Sequence, residues 1–113
     1  MGDGTAGFYL AEFNTAVRND CSIVALIGND YRWNAEVQIQ IDSFGADRVY
    51  GCELDATANY ADAAAGLGVY AVTVGADDDL DAVLATAMTQ DGPACLNILI
   101  DSYAAPKFVP LKL

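Results

Sequence analysis

Histidine is absent from this 113-residue sequence, which removes the commonest general base of enzyme active sites. Nucleophilic catalysis by a Ser-His or Cys-His pair is therefore excluded within the chain. Basic residues are also scarce, because five lysines and arginines stand against sixteen aspartates and glutamates and give a formal net charge of −11. Nucleic acid and anionic membrane surfaces are consequently poor partners, and an anionic ligand would need a bridging cation.

Long apolar runs are missing as well. No stretch reaches the roughly eighteen apolar residues of a membrane-spanning helix, and no basic-then-apolar leader is present. We therefore expect a cytoplasmic protein with no membrane partner.

The three cysteines are widely spaced and odd in number, which predicts buried thiols for Cys21, Cys52 and Cys95. A 54% hydrophobic composition at this length predicts one packed domain over residues 1–113.

Apolar spacing and turn signals predict helices that alternate with three strands. Helical segments are predicted over residues 5–18, 60–65 and after 77–79, and a loop opening into a short helix over 31–40. Asn59 is a predicted N-cap, and Leu80, Val83, Leu84, Ala87 and Met88 mark the apolar face of the last helix. Strands are predicted over 22–28, 69–74 and 94–100, the first of them buried on both faces. Residues 41–55 are predicted to be mostly irregular, and 101–113 to be an extended tail.

This order indicates an α/β fold, a small three-layer open parallel sheet of about three strands with flanking helices. Such a sheet has two open edges, so we expect a homo-oligomer or a further domain to cover them.

Two acidic turns are the candidate site. Gly2-Asp3-Gly4 precedes a helical segment, and its glycines permit positive φ and a close backbone approach by a ligand. Asn29-Asp30 follows the first predicted strand, and the carboxyl ends of parallel strands are where open sheets bind ligands. Backbone N–H groups at a helix start suit a phosphate, and carboxylate oxygens suit Mg²⁺. The turns together predict a magnesium-phosphate site. The acidic run 77–79 is interpreted as a helix start instead.

The spacing of Gly2-Asp3-Gly4 and Asn29-Asp30 resembles the Gly-Asp-Gly to Asn-Asn motif of thiamine-diphosphate-dependent enzymes. The similarity extends to residues 5–18, 60–68 and 93–101, which covers nearly the whole chain. The segment Gly28-Asn29-Asp30, followed by Trp33-Asn34-Ala35-Glu36, is most similar to the acetolactate-synthase-like branch.

The resemblance implies an incomplete thiamine-diphosphate-binding fold with a metal site. Asp3, Asp30 and the backbone carbonyl of Arg32 would bind Mg²⁺, which in turn would hold the cofactor diphosphate. In many members the position of Asp30 is asparagine, so aspartate adds a negative charge. The other implied cofactor-binding residues are Gly2, Gly4, Thr5, Ala6 and Asn29. No catalytic residue is implied within this chain.

Members of this family are much longer. They have a second domain, which binds the pyrimidine ring of the cofactor and supplies an activating glutamate, and no part of it is visible here. The strand expected before Gly2 is also missing. We therefore expect a C-terminal portion of an enzyme that makes or breaks C–C bonds next to a carbonyl, incompetent without the missing domain or subunit.

Two alternatives stay open: a stand-alone acidic interaction module without cofactor, and a small hydrolase that uses a metal-activated water at Asp3 and Asp30. Tyr31 and Trp33 either line a substrate pocket or pack half-buried. Glu12 and Glu36 are interpreted as solvated helix residues.

Overall fold

A computed structural model of the chain describes residues 1–103. Within that range five α-helices and three strands follow one another along the chain, with one short 3₁₀ turn at Ala46–Arg48. The elements are α1 (Asp3–Phe8), α2 (Glu12–Arg18), β1 (Val24–Asn29), α3 (Asn34–Phe44), α4 (Tyr60–Gly66), β2 (Tyr70–Val74), α5 (Leu80–Met88) and β3 (Ala94–Leu99).

The three strands form one parallel sheet in the order β1-β3-β2. In its register, Asn97 of β3 lies opposite Ile27 of β1 and Thr73 of β2. The last strand of the described chain is therefore the central one, and it is the most buried. The predicted open parallel sheet of three strands with flanking helices is confirmed.

Two apolar clusters cover the two faces of the sheet, because successive strand residues point to opposite sides. On one face, helices α1 and α4 pack on the sheet, and Cys95 of β3 belongs to the cluster Ala6, Ile27, Ala64, Val69 and Cys95. On the other face, α5 packs through Ala87 against Ala94 and Leu96. Most helix residues in these clusters are alanines, so their backbones lie close to the sheet.

Strand β1 forms an edge of the sheet, and this corrects the prediction that it is buried on both faces. The side chain of Leu26 is 40% exposed. Met1 and Gly2 run beside β1 in parallel: the Met1 amino group donates to the Leu26 carbonyl at 2.7 Å, and the Gly28 N–H donates to the Met1 carbonyl at 2.9 Å. This pairing brings Asp3, the next residue, to the carboxyl end of β1.

The predicted single helix over residues 5–18 is wrong, because α1 ends at Phe8 and α2 begins at Glu12. Between them, the Glu12 N–H donates to the Tyr9 carbonyl at 2.9 Å, a three-residue step that tightens the chain into a turn. Glycine has a low helix propensity, and two glycines in the six-residue α1 weaken a continuous helix. Residues 41–44 were predicted to be irregular, but they belong to α3, which ends at Phe44 and is followed by Gly45 with φ 93°.

Local capping predictions are confirmed. The Asn59 side chain accepts hydrogen bonds from the backbone N–H groups of Ala61 and Asp62, and the Asp79 side chain accepts one from Ala82 at the start of α5. The predicted apolar face of α5 is correct for Ala87, which is buried, and wrong for its ends, because Leu80 is 41% and Met88 67% exposed.

The prediction of three buried thiols is wrong for one of them. Cys52 and Cys95 are buried, whereas Cys21 is exposed in the connection between α2 and β1.

Within residues 1–103, no helix combines the length and the apolar character needed to cross a bilayer. The tail prediction falls mostly on residues 104–113, which lie outside the described residues.

Candidate functional site

Asp3 is the buried acid of the site. It begins α1, and only 2% of it is exposed. Its Oδ1 accepts the Gly4 N–H at 2.8 Å, but its Oδ2 is buried and has no hydrogen-bond partner among residues 1–103. A buried carboxylate oxygen without a partner is costly. A cation bound at Oδ2 would remove that cost, so the environment of Asp3 fits a metal.

The electrostatics of Asp3 show which groups surround it. Burial raises the pKa of its carboxyl above the ordinary value, and the nearby charge of Asp30 raises it further. The backbone N–H groups of Gly4, Tyr31 and Arg32 act in the opposite direction and lower this pKa. Asp3 and the turn after β1 are therefore neighbours in space, as the two predicted acidic turns require.

The turn after β1 is fixed by Asn29, the last residue of the strand, which is completely buried. Its Nδ2 donates to Oδ1 of Asn97 at 3.1 Å, and its Oδ1 accepts the Tyr31 N–H at 3.1 Å. Tyr31 has a φ of 57°, in the left-handed region that non-glycine residues rarely adopt. The Asn29 side chain thus bonds within the protein and shapes the turn.

Arg32 turns its backbone toward the site because its neighbours are bonded elsewhere. Arg32 pairs with Glu53 in an antiparallel bridge, and the residues on either side of Arg32 make 2.8 Å backbone hydrogen bonds to that segment. In this pattern the N–H and carbonyl of Arg32 face the other way, toward Asp3. No backbone N–H of residues 1–103 donates to that carbonyl. The guanidinium forms an ion pair with Glu53.

A cavity of about 440 Å³ opens at this end of β1. It is lined by Gly2, Asp3, Gly4, Thr5, Gly28, Asp30, Arg32, Trp33, Asn34, Ala35, Glu36 and Ile100. The structure therefore brings together every predicted site residue except Asn29 and Ala6. Ala6 packs in the core at 5% exposure, and its N–H donates to the Gly2 carbonyl at 3.0 Å.

The glycines of the first turn act differently from the prediction. Gly2 has a φ of −78°, and Gly4 lies inside α1, so neither uses positive φ. Gly4 is required by a close approach, because a Cβ at this position would lie 2.8 Å from Cδ2 of Trp33. Trp33 also contacts Phe8, with ring centroids 5.2 Å apart. Trp33 is half-buried, as one of the two interpretations has it, and it also lines the cavity.

Three residues near the site were not predicted: Glu53, Asn97 and Ile100. Asn97 left a signal, because it is the one polar residue in the apolar strand sequence ACLNIL. Glu53 left none, since its pairing with Arg32 joins residues 21 positions apart.

The donor set available for a metal is small. Within residues 1–103 no cluster of three or more His, Cys, Asp or Glu side chains could hold a metal ion. Two carboxylates and one backbone carbonyl would leave half of an octahedral Mg²⁺ shell for ligand oxygens and water. This arrangement suits a metal that is shared with a phosphate ligand.

Comparison with known proteins adds three relatives. A bovine 2-hydroxyacyl-CoA lyase 2 is 38% identical over 105 residues, which are 88% of this chain and 16% of the relative. An acetolactate synthase large subunit from Mycobacterium tuberculosis is 32% identical over 95% of the chain and 19% of its own length. A sulfoacetaldehyde acetyltransferase from Alcaligenes xylosoxydans is 30% identical over 84% of the chain. The chain thus spans less than a fifth of each of the first two relatives.

Solved structures share the fold. Benzoylformate decarboxylase from Polynucleobacter necessarius superposes with a TM-score of 0.78 at 15% identity, over 95% of this chain and 20% of that one. A thiamine diphosphate-dependent 4-hydroxybenzoylformate decarboxylase from Rhodococcus jostii gives a TM-score of 0.71 at 19% identity, over 93% of this chain and 19% of the other. Finally, the family profile described as thiamine pyrophosphate enzyme, C-terminal TPP binding domain, matches residues 1–98.

Proposed function

The chain belongs to the thiamine pyrophosphate enzyme family, whose C-terminal cofactor-binding domain it matches, and on this premise we propose that it binds the diphosphate of that cofactor through Mg²⁺. Thiamine pyrophosphate and thiamine diphosphate are the same compound. The observation that carries the proposal is the buried Oδ2 of Asp3, which has no partner within residues 1–103 and lines a cavity that also contains Asp30 and Arg32.

Three groups would hold the metal: the carboxylates of Asp3 and Asp30, and the carbonyl of Arg32. The metal would offset the negative charge of Asp3 and Asp30, because without it the two carboxylates would repel the diphosphate. Arg32 contributes through its backbone, since its guanidinium is paired with Glu53.

Backbone N–H groups at the start of α1 would assist. The Gly4 N–H is already bonded to Asp3 and the Ala6 N–H to Gly2, whereas the Thr5 N–H has no backbone acceptor within residues 1–103. Thr5 is therefore the residue whose N–H we expect to meet a phosphate oxygen. Gly2 has no side chain to fill the cavity. Among residues 1–103, no group other than its chain neighbours lies within 4 Å of the position that a Cβ would take there, so the space is open to a ligand.

The whole enzyme would make or break a C–C bond next to a carbonyl, as in 2-oxo acid chemistry. The bound cofactor supplies a stabilised carbanion for this chemistry, and this chain holds its diphosphate end. A further domain or subunit would hold the pyrimidine ring, so the chain alone is not expected to turn over substrate. We also propose a homo-oligomer in the cytoplasm; the exposed Leu26 side chain on the outer strand β1 supports the oligomer.

Calorimetric titration of the 113-residue chain tests the proposal with a series of ligands. Thiamine diphosphate and inorganic diphosphate should both bind with Mg²⁺ and lose binding in EDTA, because the metal links the diphosphate to the protein. Thiamine without phosphate should bind weakly under either condition. Equal binding with EDTA would contradict the metal bridge, and no binding of thiamine diphosphate at millimolar concentration would refute the proposal for this chain.

A further inference from the structure

Asn97 is a buried amide at the centre of the sheet. It lies in β3 at 2% exposure, opposite Ile27 and Thr73 of the neighbouring strands. On the same face of the sheet it lies beside buried apolar residues such as Ile27 and Cys95. An amide in such a place is costly to bury unless it makes hydrogen bonds, so its partner indicates what it does.

That partner is Asn29, and the bond fixes the orientation of a second amide. Oδ1 of Asn97 accepts from Nδ2 of Asn29 at 3.1 Å. The Asn29 amide nitrogen is thereby directed toward β3 and its oxygen toward the turn, where it accepts the Tyr31 N–H at 3.1 Å. With the opposite orientation, Asn29 would present its NH₂ group to the Tyr31 N–H, and two donors would face each other.

The Tyr31 bond matters because of the backbone that it holds. Tyr31 has a φ of 57°, a conformation that costs a non-glycine residue about 1–2 kcal/mol. It stands between Asp30 and Arg32, the two residues of this turn that line the cavity with Asp3. The direction of both depends on Tyr31 staying in that conformation.

We propose that Asn97 is a positioning residue of the metal-diphosphate site: through Asn29 it holds the Tyr31 turn and so directs Asp30 and the Arg32 carbonyl toward Asp3. Asn97 does not line the cavity, and it acts only through Asn29. The inference rests on the proposed function, but the hydrogen bonds that carry it exist without cofactor.

Two measurements test it, and the first needs no ligand. In Asn97→Leu, which keeps the branched shape of asparagine but is larger, the Tyr31 amide should exchange with deuterium roughly five- to tenfold faster, as expected for the loss of one hydrogen bond. Asn97→Asp keeps an acceptor oxygen in the same place and should restore slow exchange. Asn97→Ala removes the acceptor with less steric demand and replaces the leucine variant if that does not fold.

The second measurement is the Mg²⁺ concentration that half-saturates thiamine diphosphate binding. Asn97→Leu should raise it roughly tenfold, the loss typical of groups that orient metal ligands. The matched control is Cys95→Ala, which alters the same strand and face but has no bond to Asn29, and which should lower stability without changing the Mg²⁺ requirement.

The outcomes separate the two hypotheses. Unchanged Tyr31 exchange in Asn97→Leu would overturn the positioning role, as would equal shifts in Mg²⁺ requirement for Asn97→Leu and Cys95→Ala. If the wild type shows no Mg²⁺-dependent binding, the proposed function fails, and faster Tyr31 exchange in Asn97→Leu would then support only the control of the turn by Asn97.

Discussion

Two turns follow the parallel strands β1 and β2 at the carboxyl end of the sheet, yet the carboxylates at these turns are used differently. After β2, Asp78 accepts the Gly75 N–H at 2.7 Å and Asp79 accepts the Ala82 N–H at 3.1 Å, and both residues are exposed. Beside the turn after β1, Asp3 is buried and keeps one oxygen without a partner among residues 1–103. Acidic composition alone therefore does not single out a candidate metal ligand, whereas burial together with an unused oxygen distinguishes Asp3 from Asp78 and Asp79.

The largest expected difference between the turns is in ligand binding. Asp3→Ala should weaken Mg²⁺-dependent binding of thiamine diphosphate by roughly a hundredfold or more, because a direct ligand contributes at least as much as the groups that orient it. Asp78→Ala removes a carboxylate of equal charge and should leave the affinity within about twofold, since its bond is local. Calorimetry on both variants checks this, and equal losses would mean that net charge, not the geometry at β1, governs binding.

A second contrast concerns the glycine near each turn. Gly4→Ala places a Cβ 2.8 Å from Trp33, and we expect a loss of about 1–3 kcal/mol in the free energy of unfolding from overpacking. Gly75→Ala meets Asp78 Oδ2 at an ordinary 3.6 Å and should cost much less. Urea denaturation measures both. If Gly4→Ala remains as destabilising in a Trp33→Leu background, the contact with Trp33 is not the cause.

The turn after β2 should be important for stability alone. Asp79→Ala removes the side-chain cap of α5 and should lower the free energy of unfolding by about 1 kcal/mol. The affinity of the Asp79→Ala variant for thiamine diphosphate in the presence of Mg²⁺ should equal that of the wild type. A clear loss of affinity at unchanged stability would assign a ligand role to this turn and remove the distinction between the two.

The smallest effect is a pH dependence of the metal-free protein. Burial raises the folded-state pKa of Asp3 above its ordinary value of 3.8, so its contribution to stability is complete below pH 3.8 and is lost as the pH rises through the folded pKa. Asp3→Asn should therefore be more stable than the wild type at neutral pH without Mg²⁺, and the difference should shrink on acidification.

Thermal unfolding between pH 3 and pH 7 measures this difference, and Asp55→Asn supplies a control of opposite sign. Hydrogen bonds from Thr57 lower the pKa of Asp55, so Asp55 contributes stability above its unfolded pKa and loses it on acidification. A metal-free Asp3→Asn variant that is less stable than the wild type at neutral pH would contradict the stated cost of burying Asp3.

The sequence predicted those features of the structure that depend on residues close together along the chain. Asn59 was recognisable as a cap because a cap bonds to N–H groups two or three residues away, the acidic run 77–79 indicated the start of α5, and apolar runs predicted the three strands. The family motif pointed to Asp3 and Asp30, and the structure places both at one cavity. The bonds from Arg32 to Glu53 and from Asn29 to Asn97 join residues 21 and 68 positions apart, and no local pattern encodes them.

The edge position of β1 was missed for the same physical reason. A run such as VALIGN is compatible with a central strand, and it does not indicate which side chains stay uncovered, such as the partly exposed Leu26. The split between α1 and α2 depends on three-residue hydrogen bonds around Tyr9, which apolar spacing does not distinguish from a continuous helix.

The distribution of the thiols has a practical consequence. Cys52 and Cys95 are buried, and burial raises the pKa of Cys95 to about 11, whereas Cys21 is exposed just before the amino end of β1. The six residues of β1 separate Cys21 from the cavity by about 20 Å. A maleimide dye should therefore label the native sequence at Cys21 and report tumbling or surface attachment without touching the cofactor end of the sheet.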